Sequence, residues 1–183
     1  VKEHALTFHS LADLPLLKER VHSLRNRAAK DGALVIVGAG ATGVELACKL
    51  SDMLDGSATI HLVELGDSVL SRSRAFNREQ AQRALDQRAV HRHFNTRVTS
   101  VSANAVQLLK NDLPQSLNHD GLIWTAGTKP VLPTLIPSPT RERGLLCVDE
   151  GLRLTTDPNV VALGDVACHN DADTPWPRSA QSA

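Results

Sequence analysis

The chain has 183 residues, 20 lysines and arginines balanced by 20 aspartates and glutamates, and 42% hydrophobic side chains. That is the size of one large domain, or of one domain with part of a second, and is apolar enough to bury a core. The charge balance argues against a nucleic acid or other polyanion as the main partner, and no apolar run approaches the ~20 residues of a membrane-spanning helix. No charged-then-apolar signal segment opens the chain. Cys48, Cys147 and Cys168 are scattered without a C-x-x-C, which reads as reduced thiols in an intracellular, cytoplasmic protein. The chain opens at Val1, holds a single methionine at Met53 and stops at "PRSAQSA"; it is expected to be a piece of a longer polypeptide.

In chain order, residues 10–28 read as a helix, with Ser10 and Asp13 as a capping box. Leu14, Leu17, Val21, Leu24 and Ala28 fall at spacings of three and four, which puts them on one face. Residues 33–37, "ALVIV", are too short for a helix and suit a parallel strand covered on both faces. Residues 41–54 read as a helix with Val44, Ala47, Cys48 and Met53 or Leu54 inward, and 58–64 as a second strand. The unit is βαβ. A further helix is expected near 75–89, short β runs at 97–101 and 105–109, and a buried strand within 122–127. Pro130, Pro133, Pro137 and Pro139 then mark a connection leaving the domain, followed by strand-like runs in "LLCVDEGLRL" and "NVVALGDVA". The fold class expected is α/β: a Rossmann-like parallel sheet with helices on both faces and a small antiparallel excursion.

Gly38, Gly40 and Gly43 form G-x-G-x-x-G between the first strand and the helix. The first glycine allows a sharp turn, the second close approach of a pyrophosphate, the third tight helix–strand packing. Free N–H groups and the helix dipole at residues 41–44, Ala41 and Thr42 among them, would face the phosphates. Glu64 ends the second strand where a carboxylate can accept both ribose hydroxyls. It would also repel a 2′-phosphate, which favours NAD over NADP. Against this, Arg72, Arg74, Arg78, Arg83, Arg88, Arg92 and Arg97 form a basic run. Arg72 or Arg74 could reach a 2′-phosphate, although a solvated basic face is the preferred reading.

With "VIVGAGATGVELA", "GLIWTAGTKP" and "DPNVVALGDVA" in this order, the chain resembles the two-dinucleotide FAD/NAD(P)H oxidoreductase superfamily, which is pyridine nucleotide-disulfide oxidoreductase-like. Within it the resemblance is to type II NADH dehydrogenases. It implies that an NAD(H) domain is inserted into a flavin domain. Residues 1–30 would be the linker and helix entering from the flavin domain, 31–140 the NAD(H) domain, and 141–183 the start of the returning flavin-domain segment. The glycine turn at Gly38 would hold NAD(H), and the flavin's own turn would lie upstream of Val1. Gly164 and Asp165 match the "GD" motif that contacts the flavin ribityl chain. Ala126 and Gly127 match the segment where cofactor and domains approach. Glu45, placed on the first turn of the helix, matches an acid beside the nicotinamide, though an acid there also complements the dipole. Ala180 and Gln181, with Ala183, resemble the start of an A-Q-x-A-x-Q motif lining a flavin–quinone site.

The implied parent protein passes hydride from NADH to FAD and electrons on to a quinone or other small-molecule acceptor, with this piece alone inactive. Oligomerisation and peripheral membrane contact would depend on residues beyond Ala183. The alternatives are an NAD(P)H-dependent disulfide or small-molecule reductase, and a non-catalytic NAD(H)-binding module. The absent C-x-x-C argues against a thioredoxin-reductase-like branch. No metal site is expected: His91 and His93 supply only two ligands. His9, Ser10 and Asp13 read as a helix entrance rather than a triad, Trp124 as a packed strand residue, and Cys48 as an inert core thiol.

Overall fold

The computed structural model describes residues 4–8, 10–28, 31–127, 131–142 and 144–169. The chain divides into two compact units, Val1–Gly127 and Thr128–Ala183. In the first, the elements run β1 (Leu6–Thr7), α1 (Leu14–Arg25), β2 (Gly32–Val37), α2 (Ala41–Leu54), β3 (Ala58–Val63), α3 (Ala75–Gln87), β4 (His91–His93), β5 (Thr96–Val101), β6 (Ala105–Lys110), β7 (Leu113–Asn118) and β8 (Gly121–Trp124). Strands β1, β8, β2, β3 and β4 lie side by side in that order, every pair parallel. Among the described residues, no helix is long and apolar enough to cross a membrane.

The centre of this sheet is β2, buried on both faces. Leu34 and Ile36 face one way, with Ile60, Leu62 and Ile123 of the neighbouring strands, and meet Leu17, Val21 and Leu24 of α1, Val44, Ala47, Leu50 and Leu54 of α2, and Leu85 of α3. Each such leucine, fully buried, contributes about 1.5–3 kcal/mol. Val35 and Val37 face the other way, with Val63 and Leu122, and meet Val106 and Leu108 of the antiparallel sheet β5–β6–β7. The α/β class, the parallel sheet and the antiparallel excursion are as expected. The helices, however, share one face, and the antiparallel meander covers the other. The cause lies between β4 and β8, where Val106 and Leu108 alternate with outward residues and a two-residue turn replaces any helical period. Asn111 and Asp112 both take positive φ, 49° and 62°, the backbone of a type I′ hairpin turn.

Local chemistry sets the element ends. The Asp13 carboxylate accepts the Ser10 N–H at 2.9 Å and the Thr7 hydroxyl at 3.0 Å, which is the acidic half of the expected capping box. The helix at 10–28 is a 3₁₀ turn, Leu11–Asp13, followed by α1, which stops at Arg25. In α2 it is Leu54, fully buried, that points inward, while Met53 is 36% exposed. Cys48 packs against this core, and burial, ahead of the opposing pull of Arg88, raises its pKa and keeps the thiol protonated.

The second unit holds β9 (Arg141–Glu142), β10 (Leu145–Val148), β11 (Arg153–Leu154), β12 (Asp157–Val161) and β13 (Ala167–His169). The sheet order is β12-β11-β10-β13, with β9 also paired to β10. Leu146, Val148, Leu154 and Ala162 form its core. Residues 131–140, with three of the four prolines, are irregular.

Three histidines meet on the first sheet. His61 of β3 is paired in register with His91 of β4. Its ring centroid lies 5.1 Å from that of His91 and 5.3 Å from that of His93, and its Nδ1 is 3.1 Å from Nε2 of His93. Burial, then the positive fields of His93 and His91, hold the pKa of His61 down to about 4. The unfolded chain protonates this imidazole near 6.5, so protons favour unfolding once the pH falls below that value. Stability should be fully present above pH 6.5 and decline as the pH falls towards 4. Urea midpoints measured between pH 8 and 4 should show this decline, and it should be shallower in His61→Asn.

Candidate dinucleotide site

The glycine turn follows β2 directly, at the carboxyl ends of the parallel strands. From β2 the chain passes through α2 to β3 on one side, and β8 later fills the other side. Such a reversal of strand order opens a crevice where ligands bind in open α/β sheets.

The three glycines serve three different needs. Gly38 has φ +105°, and a Cβ on it would lie 2.9 Å from Cα and N of Ala126. Its N–H donates to Val63 O at 2.8 Å. At Gly43 a Cβ would fall 1.8 Å from the carbonyl oxygen of Gly38, a position no side chain can take. Gly40 differs: a Cβ there meets nothing within 4 Å. Two glycines are required by the chain's own packing, and the third borders open space. Val44 N–H donates to Gly40 O, while the N–H groups of residues 40–43 find no acceptor among the described residues. This is an anion cradle at a helix N-terminus.

Glu64 is built into the turn. Its Oε2 accepts the Ala39 N–H at 2.6 Å and its Oε1 accepts the Gly66 N–H at 2.9 Å. Each carboxylate oxygen has a second lone pair, so the group that holds the turn can also accept a hydroxyl. The segment after β3 is tied to the same place: Leu70 N–H donates to Ala39 O at 2.9 Å, and Val69 is fully buried. Sequence reasoning missed this tether. Its signal is a lone apolar pair, Val69–Leu70, inside a polar loop. Beyond it Arg72 and Arg74 are exposed, whereas Arg83, Arg88 and Arg92 are paired with Glu79, Asp52 and Asp86.

The end of β8 closes the other wall. Thr125 donates to Val37 O from its N–H and its hydroxyl, each at 2.9 Å. Trp124 Nε1–H donates to Ala126 O at 2.7 Å, so the indole is anchored as well as packed. Gly127 has φ +75° and open space beside it. Gly38, Gly40, Ala41, Thr42, Gly43, Glu64 and Ala126 are thus gathered around one turn.

Glu45 lies just past the first turn of α2. The helix starts at Ala41, immediately after Gly40, and its first turn holds no acid. The expectation of a first-turn position is corrected by one residue, and the dipole explanation weakens with it, because that effect falls off within the first turn. The side chain is exposed. Gly164 and Asp165 belong to the second unit. There Gly164 takes φ +74° and Asp165 is exposed in a single 3₁₀ turn, Gly164–Val166, between β12 and β13. Ala180 and Gln181 lie outside the described residues.

A parallel sheet with a glycine turn and a tethered acid at its switch point defines a dinucleotide-binding α/β fold. The chain belongs to the pyridine nucleotide-disulphide oxidoreductase family, whose profile matches residues 13–183. A demethylphylloquinone reductase, NdbB, of Synechocystis is 34% identical over all of this chain and 46% of its own length. The alternative NAD(P)H-ubiquinone oxidoreductase C1 of Arabidopsis thaliana is 30% identical over 93% of this chain and 37% of its own. Among solved structures, a pyridine nucleotide-disulfide family oxidoreductase from Enterococcus faecalis superposes with TM-score 0.71 at 25% identity, over 98% of this chain and 40% of its own. NDH2 from Plasmodium falciparum shares the fold, with TM-score 0.73 at 18% identity over 92% of this chain and 40% of its own. The chain spans less than half the length of each of these relatives.

The glycines predict a split between stability and binding. Gly43→Ala should cost about 3 kcal/mol or more, because backbone must move. Gly40→Ala, at an ordinary φ of −71°, should stay within about 1 kcal/mol of the parent. Equilibrium unfolding of the two variants checks both values.

Proposed function

We propose that this chain is the NADH-binding part of a flavin-dependent NADH dehydrogenase that delivers electrons to a quinone. The observation that carries the reading is the open side of Gly40, beside free N–H groups and the Glu64 carboxylate, in a chain with quinone-reductase relatives. In this reading the N–H groups at residues 40–43 hold the pyrophosphate, and Glu64 accepts the ribose hydroxyls while keeping its grip on Ala39. A 2′-phosphate would meet the Glu64 charge, so NADH is preferred. Ala126 and Gly127 let the cofactor pass close to the backbone at the end of β8, and Glu45 faces the nicotinamide. Bound FAD would accept hydride from NADH. Gly164, Asp165, Ala180 and Gln181 belong to the flavin side, and the positive φ of Gly164 suits a backbone that must turn beneath a ligand.

The domain limits proposed on the same reading are entry from the flavin domain over 1–30, the nucleotide domain over 31–140 and return to the flavin domain from 141, with the entering helix α1 packed into the core of the first compact unit, which ends at Gly127. The chain by itself then binds NADH without turning it over.

Titration of the chain with NADH, NADPH and FAD should rank NADH tightest. Glu64→Ala should narrow the lead of NADH over NADPH by roughly tenfold, about 1.4 kcal/mol, and Gly40→Ala should weaken NADH with little change in stability. NADPH binding tighter than NADH would sink the assignment of Glu64. The full-length parent should show NADH–quinone turnover; intact NADH binding without turnover would leave a binding module instead.

A further inference from the structure

Cys147 and Cys168 are 21 residues apart in sequence and face each other in the fold. They are register partners across the parallel pair β10–β13, so their side chains leave the same face of the sheet. The two sulfurs are 3.8 Å apart. Glu142 of β9, the strand paired antiparallel to β10, brings a carboxylate to the same spot. One oxygen of that carboxylate and the two sulfurs all lie within 4.8 Å of one another. We propose that Glu142, Cys147 and Cys168 form a binding site for a thiophilic divalent cation of the zinc type.

The spacing suits the ion. Two thiolates each about 2.3 Å from a tetrahedral zinc sit about 3.8 Å apart. The ligand types suit it too, since thiolate sulfur selects zinc-like ions over magnesium or calcium. Cys147 is 2% exposed, whereas Glu142 is exposed and Cys168 half-buried, so the ion would enter from the Glu142 side and keep its fourth position for solvent. The two sulfurs and the carboxylate crowd together at one spot, and a bound cation would supply the positive charge that balances them once the thiols ionise. The site uses none of the residues gathered around the glycine turn.

The test uses the full chain, reduced and stripped of metal, titrated with Co²⁺. One equivalent should produce a thiolate-to-cobalt charge-transfer band in the near ultraviolet, with the visible bands of tetrahedral coordination. Zn²⁺ should displace both. Cys168→Ser and Cys147→Ser should each abolish the charge-transfer band, with far-ultraviolet circular dichroism reporting the fold, and Cys48→Ser should leave it intact. Glu142→Gln should weaken apparent affinity by roughly 10- to 100-fold. Without any variant, one equivalent of Zn²⁺ should slow alkylation of two of the three thiols. Absence of the band in the parent chain, its survival in Cys168→Ser, or a Cys147–Cys168 disulfide in the metal-free chain under air that Zn²⁺ fails to prevent would each overturn the proposal.

Discussion

The position of Gly43 against the carbonyl of Gly38 governs the first unit. A Cβ there would fall 1.8 Å from that oxygen, far inside van der Waals contact, so helix and strand can meet this closely only through a hydrogen atom. Because they do, the N-terminus of α2 stands directly over the end of β2. The N–H groups at the helix start, which find no acceptor among the described residues, and the open edge at Gly40 are thereby set over the strand end, beside the Glu64 carboxylate that holds Ala39. A wider turn would leave the same residues in the sequence and no cradle in space.

The sheet supports this turn asymmetrically. Three helices press on one face through leucines and valines, and a three-stranded meander presses on the other. The strand ends that carry chemistry emerge between these layers, and both are pinned. Thr125 ties β8 to Val37, and Leu70 ties the post-β3 loop to Ala39. Glu64 therefore acts as a fastener before it meets any ligand, with each oxygen already engaged by a backbone N–H. Its dual use follows from lone-pair count: two oxygens offer about four acceptor positions, and the turn takes two.

What was legible in the sequence was local. The strand at 33–37, the helix at 41–54 and the spacing to Glu64 all announce themselves through periodicity and turn chemistry. β7 did not, because it is an exposed outer strand with Pro114 in it and no buried alternating face. Its one local signal was the Asn111–Asp112 pair, a turn that the sequence reading did not take up. The shared face of the helices was hidden because periodicity says that a helix has an apolar side, not which side of the sheet receives it. Glu45 was misplaced by one residue although the start of the helix at Ala41 was read correctly, because a turn of about 3.6 residues from Ala41 closes before the fifth position. Cys147 and Cys168 looked unrelated for the opposite reason: parallel pairing joins residues across intervening strands and turns, and no spacing rule reveals it.

The order of strands also fixes an order of assembly. β8 lies between β1 and β2, yet it follows β2 in the chain by the whole of α2, β3, α3, β4 and the meander. Until residues 121–124 have been made, β2 has an open edge and β1 has no strand to pair with. Contacts this distant in sequence are slow to form, because loop closure comes before any pairing. The wall that Ala126 and Gly127 provide is therefore the last part of the first unit to arrive as the chain is synthesised, and the crevice is completed only when that unit is.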